Sequence, residues 1–256
     1  MTRMKGRHPR AHNPGVPHMS ALKSLRTSMP VIPASVDHTA GMPSEFGMML
    51  NDTLGDCTCA AFYHARQVWT KMGGGREITD PDKDVLDLYM GACGYRPGHP
   101  ETDQGGNEQH VLTYLHNVGA LTGSVGKVRD RILAFFEVDH HIHDDVKLAI
   151  LEAGVLYIGF NVPSLLDDPN CPDVWDVVPG KTDITGGHAV VLTGYDTQGV
   201  SLISWGQKYK MTWAFFDKFV DEAYAIVDKN WFMATGKTPL GLTVQQLEQQ
   251  MAALRA

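Results

Sequence analysis

"TLGDCTCAAFYHA" (Thr53–Ala65) places a cysteine directly behind a Gly-Asp turn and at the head of an apolar, helix-like run. The 256-residue chain has four cysteines: Cys57, Cys59, Cys93 and Cys171. A buried structural thiol would serve anywhere in a core. A nucleophilic thiolate gains from this position, because first-turn amides and the helix dipole favour its charge. The helix opened here is expected from about Asp56 to Met72, stopped by Gly73-Gly74-Gly75. The cysteines form no paired CxxC zinc pattern, and free thiols are expected rather than a disulfide framework.

Outward from that helix, "TDPDKDVLDLYMGAC" reads as a second helix, with Thr79 or Asp80 as N-cap and Pro81 in the first turn. "NEQHVLTYLHNVGA" is a third, with Val111, Leu112, Leu115 and Val118 at helical spacing and Gly119 as stop. "RILAFFEV" and "VLYIGFNV" read as strands on either side of a short helix, "HDDVKLAILEAG". "HAVVLTGYD", "GVSLISWG" and "EAYAIVD" are apolar, β-branched runs separated by turn signals. "TWAFFDKFV" among them looks helical, with Thr212 as N-cap. Helices thus gather in the first half and strands in the second, an α+β plan with two lobes.

No apolar run approaches the roughly 18 residues that span a bilayer. The basic start has no apolar segment of a secretory signal, so a cytoplasmic protein, or one assembled into a larger particle, is expected. Net charge is −7, unevenly spread. Residues 1–31 carry six basic residues and no acid, leaving 16 basic against 29 acidic residues in the remainder. Such an arm could dock a polyanion or an acidic protein surface, remain solvated, or fold onto its own acidic body. The expected divisions are the arm (1–31), a body (32–240) and an amphipathic C-terminal helix (241–256). That helix would put Val244, Leu247, Met251 and Leu254 on one stripe to dock on the body or on a partner, which leaves a homo-oligomer open.

A cysteine nucleophile needs a base, an orienting group and oxyanion donors. His188 lies 131 residues after Cys57, preceded by Gly186 and Gly187 and followed by an apolar strand. A helix-borne Cys with a distant strand-borne His is the layout of papain-like enzymes. The chain resembles that superfamily along most of its length. "IPASVDHTAGMPSEFGMMLNDTLGDCTC" is similar to the start of a mature papain-type domain, and Asn51 stands where the family has its oxyanion glutamine. "DQGGNEQHVLTYLHNVGALTG" resembles the family's Gly-Gly-plus-helix segment. "GHAVVLTGYD" resembles its His strand, and "ISWG" its Asn-Ser-Trp-Gly. "GYD" and "MTWAFFDKF" also resemble bacteriocin-processing relatives.

The resemblance implies a papain-like fold and a cysteine hydrolase that cleaves peptide or isopeptide-type amides. The implied catalytic residues are Cys57, His188, Asn51 and Ser204. Gly105, Gly106, Gly187 and Trp205 would bind a peptide or protein substrate, with Trp205 either shielding His188 or simply packing in the core. No cofactor or metal is implied.

Departures from the pattern favour a second reading, an inactive scaffold with a structural or binding role such as a phage-particle component. The orienting asparagine falls on Ile203, so Ser204, Gln207 or a backbone carbonyl must replace it. Thr58 replaces a tryptophan, the pro-segment of secreted members is missing, and Asp56 would oppose a thiolate if its carboxylate lay near the sulfur. "DHHIHDD" (Asp139–Asp145) reads mainly as a solvated loop entering a helix, with a metal site as the lesser alternative. His64, seven residues past Cys57, is about 10 Å along the helix and too far for a direct catalytic bond.

Overall fold

Helix α1 (Cys57–Gly74) is buried on every side from Cys57 to Thr70, which requires packing layers all round it. It ends where Gly75 takes a left-handed conformation, φ 70°. The structure is a computed structural model that describes residues 3–11, 13–20, 29–123, 129–235 and 243–250.

Two further helices pack beside α1 in the first lobe. Helix α2 (Asp82–Cys93) starts with Pro81, not Thr79 or Asp80, in the cap position. The Asp80 carboxylate is used elsewhere: it pairs with Arg66 Nε of α1 at 2.8 Å and accepts the Gly123 amide at 2.8 Å. Helix α3 (Glu108–Asn117) is capped by Asn107, whose side chain accepts the His110 amide.

The second lobe is a sheet. Strand β1 (Val36–Asp37) precedes α1, and the short pair β2 (Ala120–Leu121) and β3 (Arg129–Asp130) follows α3. After them come β4 (Ala134–Glu137), helix α4 (His143–Ala153) and β5 (Leu156–Pro163). Then follow β6 (Val174–Trp175), β7 (Ile184–Tyr195), β8 (Gly199–Ser204) and β9 (Gln207–Thr212). Helix α5 (Trp213–Phe219) leads into β10 (Val220–Val227); helices α6 (Lys229–Thr235) and α7 (Val244–Gln250) come last.

The strand order is β4-β10-β5-β7-β8-β9-β6, with β1 added against β7. Each pairing is antiparallel except β6 with β9. Both faces of β5 and β7 are covered, so their sequences read as continuous apolar runs rather than alternating ones. Trp69 of α1 donates from Nε1 to the Ala153 carbonyl at 2.8 Å, tying the central helix to α4.

Two elements differ from expectation. The strand expected over "RILAFFEV" is confined to Ala134–Glu137, and "QKYKMT", for which no element was expected, forms the six-residue strand β9. Of the stripe expected over 241–256, Met251 and Leu254 lie outside the described residues, which end with α7 at Gln250. Among the described residues no helix is long and apolar enough to cross a membrane.

Candidate active site

Cys57 is the first residue of α1 and has no solvent exposure. Its Sγ receives amide hydrogens from Ala189 of β7 and from Gly6 of the N-terminal arm. Ala189 is the neighbour of His188, so the helix N-terminus and the His strand meet at the sulfur. The register β5–β7, with His188 opposite Phe160, holds the ring against a rigid apolar wall.

His188 is buried, and its Nε2 is 2.8 Å from Ser204 Oγ. Ser204 thus stands where an orienter is needed. Ile203 pairs across the sheet with Val191 and is fully buried in the core. With Nε2–H donating to Ser204, Nδ1 is the basic nitrogen, and it makes no hydrogen bond among the described residues. Gln207 is exposed at the start of β9.

The indole of Trp205 stacks on His188, centroids 4.3 Å apart at 13°. Trp205 and Gly206, with φ 45° and 72°, form the two-residue turn between β8 and β9. Such turns demand left-handed backbone and usually carry Asn-Gly. A tryptophan there is strained by about 1–3 kcal/mol, and that backbone aims its ring over the imidazole. Trp213 and Phe215 belong to the packing: Phe215 is fully buried, and Trp213 stacks on His143.

Asn51 is buried, and its Nδ2 donates to the Leu54 carbonyl at 3.1 Å. Burial pushes the Asp56 carboxyl well above the usual carboxylate range, and Asp56 is among the groups that raise the Cys57 thiol, as like charges do. His64 is packed away, its Nε2 2.9 Å from the Gly47 carbonyl. His143 is paired with Asp217 at 2.6 Å instead of standing in an open cluster.

The N-terminal arm occupies the cleft. The Met4 amide donates to the Asn51 carbonyl (3.2 Å), and Trp205 Nε1 donates to the Met4 carbonyl (3.2 Å). The Gly106 amide donates to the Gly6 carbonyl (2.8 Å), Arg7 N–H to the Gly187 carbonyl (3.2 Å), and His8 N–H to the Gly106 carbonyl (2.9 Å). Gly105, Gly106, Gly187 and Trp205, the expected substrate binders, therefore all contact the chain's own residues 4–8. Gly105 needs its left-handed φ of 82°, and a Cβ there would lie 2.6 Å from the Gly6 carbonyl carbon. The arm pairs with Gly106 in the parallel sense and turns an amide N–H, not a carbonyl carbon, toward the sulfur.

The arm's cations are spent on the body. Arg3 donates to Tyr209 Oη (3.1 Å) and lies over Trp205; Lys5 pairs with Asp167; Arg10 pairs with Glu137. Arg7 is buried among Glu108, Asp221 and Glu222. Lys23 and Arg26 lie outside the described residues. Folding onto its own acidic body is thus what the described arm does.

Closure sets the protonation of the pair. Burial pushes the Cys57 thiol up to about 12, against the lowering effect of the two amides. Burial, joined by the charges of Lys5, His64, Arg7 and Arg3, lowers His188 to about 3. Both side chains are neutral in this state.

No protein-family model matches the chain, and no curated protein matches it in sequence. Its structure is similar to that of xylellain, a cysteine protease from Xylella fastidiosa. The TM-score is 0.65 at 16% identity, over 89% of this chain and 98% of that one. A cysteine protease of Carica candamarcensis, solved with E-64, matches with TM-score 0.55 at 14% identity, over 77% of this chain and 99% of that one. Digestive procathepsin L 3 of Tenebrio molitor larval midgut matches with TM-score 0.53 at 15% identity, over 88% and 76%. The chain has the α+β, two-lobed fold of papain-like cysteine proteases.

Proposed function

We propose that the protein is a cysteine hydrolase of peptide or isopeptide-type amide bonds, held latent by its own N-terminal arm. The observations that support this reading are that Cys57 heads α1 against Ala189, the neighbour of His188, that His188 Nε2 meets Ser204, and that residues 4–8 lie over both. Once the arm lifts, His188 Nδ1 takes the Cys57 proton. The thiolate attacks the substrate carbonyl carbon, forming a C–S bond, while the Cys57 N–H and the Asn51 amide receive the oxyanion. The C–N bond breaks as His188 returns the proton to the leaving amine. Water then adds to the thioester, releasing the carboxylic acid and restoring the thiol.

A catalytically silent scaffold is the second reading, favoured by a hydroxyl standing where relatives hold a carboxamide. The particle role rested on the basic arm, whose described cations are paired internally. The two classes separate on the pH profile of Cys57 alkylation in a chain whose arm is opened by Gly6→Ala, with His188 intact and with His188→Ala. Reactivity that persists below pH 8 and disappears in the variant supports the hydrolase. Ordinary thiol behaviour in both chains leaves only the scaffold.

A further inference from the structure

The cysteine turn and the Gly105-Gly106 segment are far apart in sequence, and one hydrogen-bonded chain joins them. The Gly105 N–H donates to Tyr89 Oη at 2.9 Å. The Tyr89 O–H donates to Asp103 Oδ1 at 2.6 Å. The same carboxylate accepts the Gly55 N–H, at 3.0 Å from Oδ1 and 3.3 Å from Oδ2. Gly55 lies two residues before Cys57 and directly after Leu54, whose carbonyl holds the Asn51 amide. Gly106, next to Gly105, turns its N–H and C=O into the cleft, where they hold the arm. The chain thus starts at one wall of the cleft, passes through α2, and ends at the turn before α1.

Its middle members are anchored outside the cleft. Tyr89 is fully buried in α2, and its ring stacks on Tyr95, centroids 5.1 Å apart at 21°. Asp103 closes the short turn Pro100–Thr102, its N–H donating to the Pro100 carbonyl at 3.1 Å. Burial and the bond to Asp103 raise the Tyr89 phenol, so it stays protonated, donating to the carboxylate while accepting from Gly105. The two walls also approach closely: a Cβ on Gly55 would lie 3.2 Å from Asp103 Oδ1 and 3.7 Å from the Gly105 nitrogen. Attack by a thiolate needs the substrate carbonyl in register with the Cys57 N–H, and a misplacement of about 1 Å costs roughly 100-fold. That N–H moves with the Gly55 turn, whereas a peptide backbone lying along the cleft moves with Gly106.

We propose that Tyr89 and Asp103 are positioning residues, which set the distance between the Cys57 turn and the Gly105-Gly106 segment. The proposal rests on the hydrolase reading and adds to it the device that keeps a peptide carbonyl aligned with the sulfur. Both residues act through backbone amides of their neighbours. A carboxylate suits the central place, because it accepts several donors at once and its hydrogen bonds are about twice as strong as neutral ones.

Two reagents separate positioning from thiol chemistry on the full chain carrying Gly6→Ala. Iodoacetamide needs only the Cys57 thiol. Acetyl-Ala-Ala-Gly chloromethyl ketone also forms a C–S bond to Cys57, the thiol proton passing to His188 and chloride leaving, but it reacts fastest when its backbone lies along Gly106. Tyr89→Phe keeps the ring and cuts the link to Gly105. The peptidyl rate is expected to fall at least about tenfold, while the iodoacetamide rate stays within about twofold. Asp103→Ala frees Gly55 as well, so both rates should fall, and Asp103→Asn, which keeps Oδ1, should restore most of the loss. In Tyr89→Phe, rates that change in step or do not change overturn the proposal. If Tyr89→Phe does not fold, Asp103→Ala against Asp103→Asn decides, and no recovery in Asp103→Asn overturns it. The hydrolase reading fails on a different result, an ordinary pH profile of iodoacetamide labelling in the Gly6→Ala parent. Where that profile shows the Cys–His pair, in-step rates remove the positioning role alone.

Discussion

The contact that closes the cleft is tightest at Gly6, which makes Gly6→Ala the sharpest test of latency. A Cβ there would overlap the Gly55 carbonyl and lie 2.6 Å from Gly55 Cα. These are backbone atoms of the turn before Cys57, and no flexible side chain can yield. Forcing one methyl into a packed site costs about 1–3 kcal/mol. Lifting the arm removes that strain, so the open fraction should rise about 5- to 150-fold, at 1.4 kcal/mol per decade. Cys57 is fully buried, so its alkylation rate reports that fraction. Mass-spectrometric mapping of iodoacetamide labelling at each cysteine is the assay. Cys59 is also fully buried but on the far side of the same helix turn, so it monitors global unfolding. The expected result is faster labelling of Cys57 with Cys59 unchanged. Unchanged labelling of Cys57, or acceleration of both in step, would refute the idea that residues 4–8 gate the sulfur.

Acid should also open the arm. His188 is held at about 3 in the closed chain against an ordinary 6.5. The closed state therefore binds fewer protons between those values, its stability is fully present above pH 6.5, and it is lost as pH falls toward 3. Hydrogen exchange of the Arg7 and His8 amides should quicken across that window, after correction for intrinsic rates, and a flat profile would contradict the assignment. Ser204→Ala removes the partner of His188 Nε2, worth about 0.5–1.5 kcal/mol. Cys57 reactivity in the opened Gly6→Ala background should drop roughly 2- to 13-fold, and no drop would show that Ser204 does not orient the ring. Arg66→Ala leaves Asp80 buried without its cation, a loss of about 3–5 kcal/mol. Thermal unfolding should fall by roughly 6–20 °C, and a shift under 2 °C would show that the pair does not hold α1 to the segment before α2.

What the sequence disclosed and what it withheld follow from the range of each interaction. The Cys57 helix was legible because its signals are local: a turn, an apolar run, a glycine stop. The His188 strand was legible for the same reason. β9 was not: Tyr209 and Met211 alternate with Lys208 and Lys210 as in a half-buried strand, but the signal is two apolar residues long, and the strand is held by its pairing with β8 and the two-residue β6. The departure at Ile203 looked like the loss of an orienter. In the sheet it is a change of which neighbour faces the imidazole, since adjacent strand residues point to opposite faces. Thr79 or Asp80 as a cap was a sound local inference, but a buried arginine 14 residues earlier outcompeted the helix amides for Asp80. The acidic cluster around Arg7 was least legible, because Glu108 and Glu222 are joined only by the fold. The arm's charge was visible; its destination depended on a glycine fitting against Gly55 and Gly105, which no composition reveals.

On the proposed reading, the protonation energetics would keep the resting chain silent. In the closed state, moving the proton from a thiol at about 12 to an imidazole at about 3 costs roughly 12 kcal/mol. An ion pair at about 4 Å returns only some 4 kcal/mol at an effective dielectric of 20, so the neutral pair wins. With water admitted and the arm's cations withdrawn, both groups shift back toward their ordinary values of 9.0 and 6.5, while Asp56 and Glu108 still oppose the thiolate and His64 the imidazolium. At those ordinary values the same transfer would cost roughly 3 kcal/mol, a gap comparable with the attraction of a charge pair rather than far beyond it. The helix dipole at Cys57 adds to the open side of that balance. The arm therefore does more than obstruct the cleft. It dries the sulfur and brings Arg3, Lys5 and Arg7 near the imidazole, and each change opposes the thiolate–imidazolium pair that attack requires.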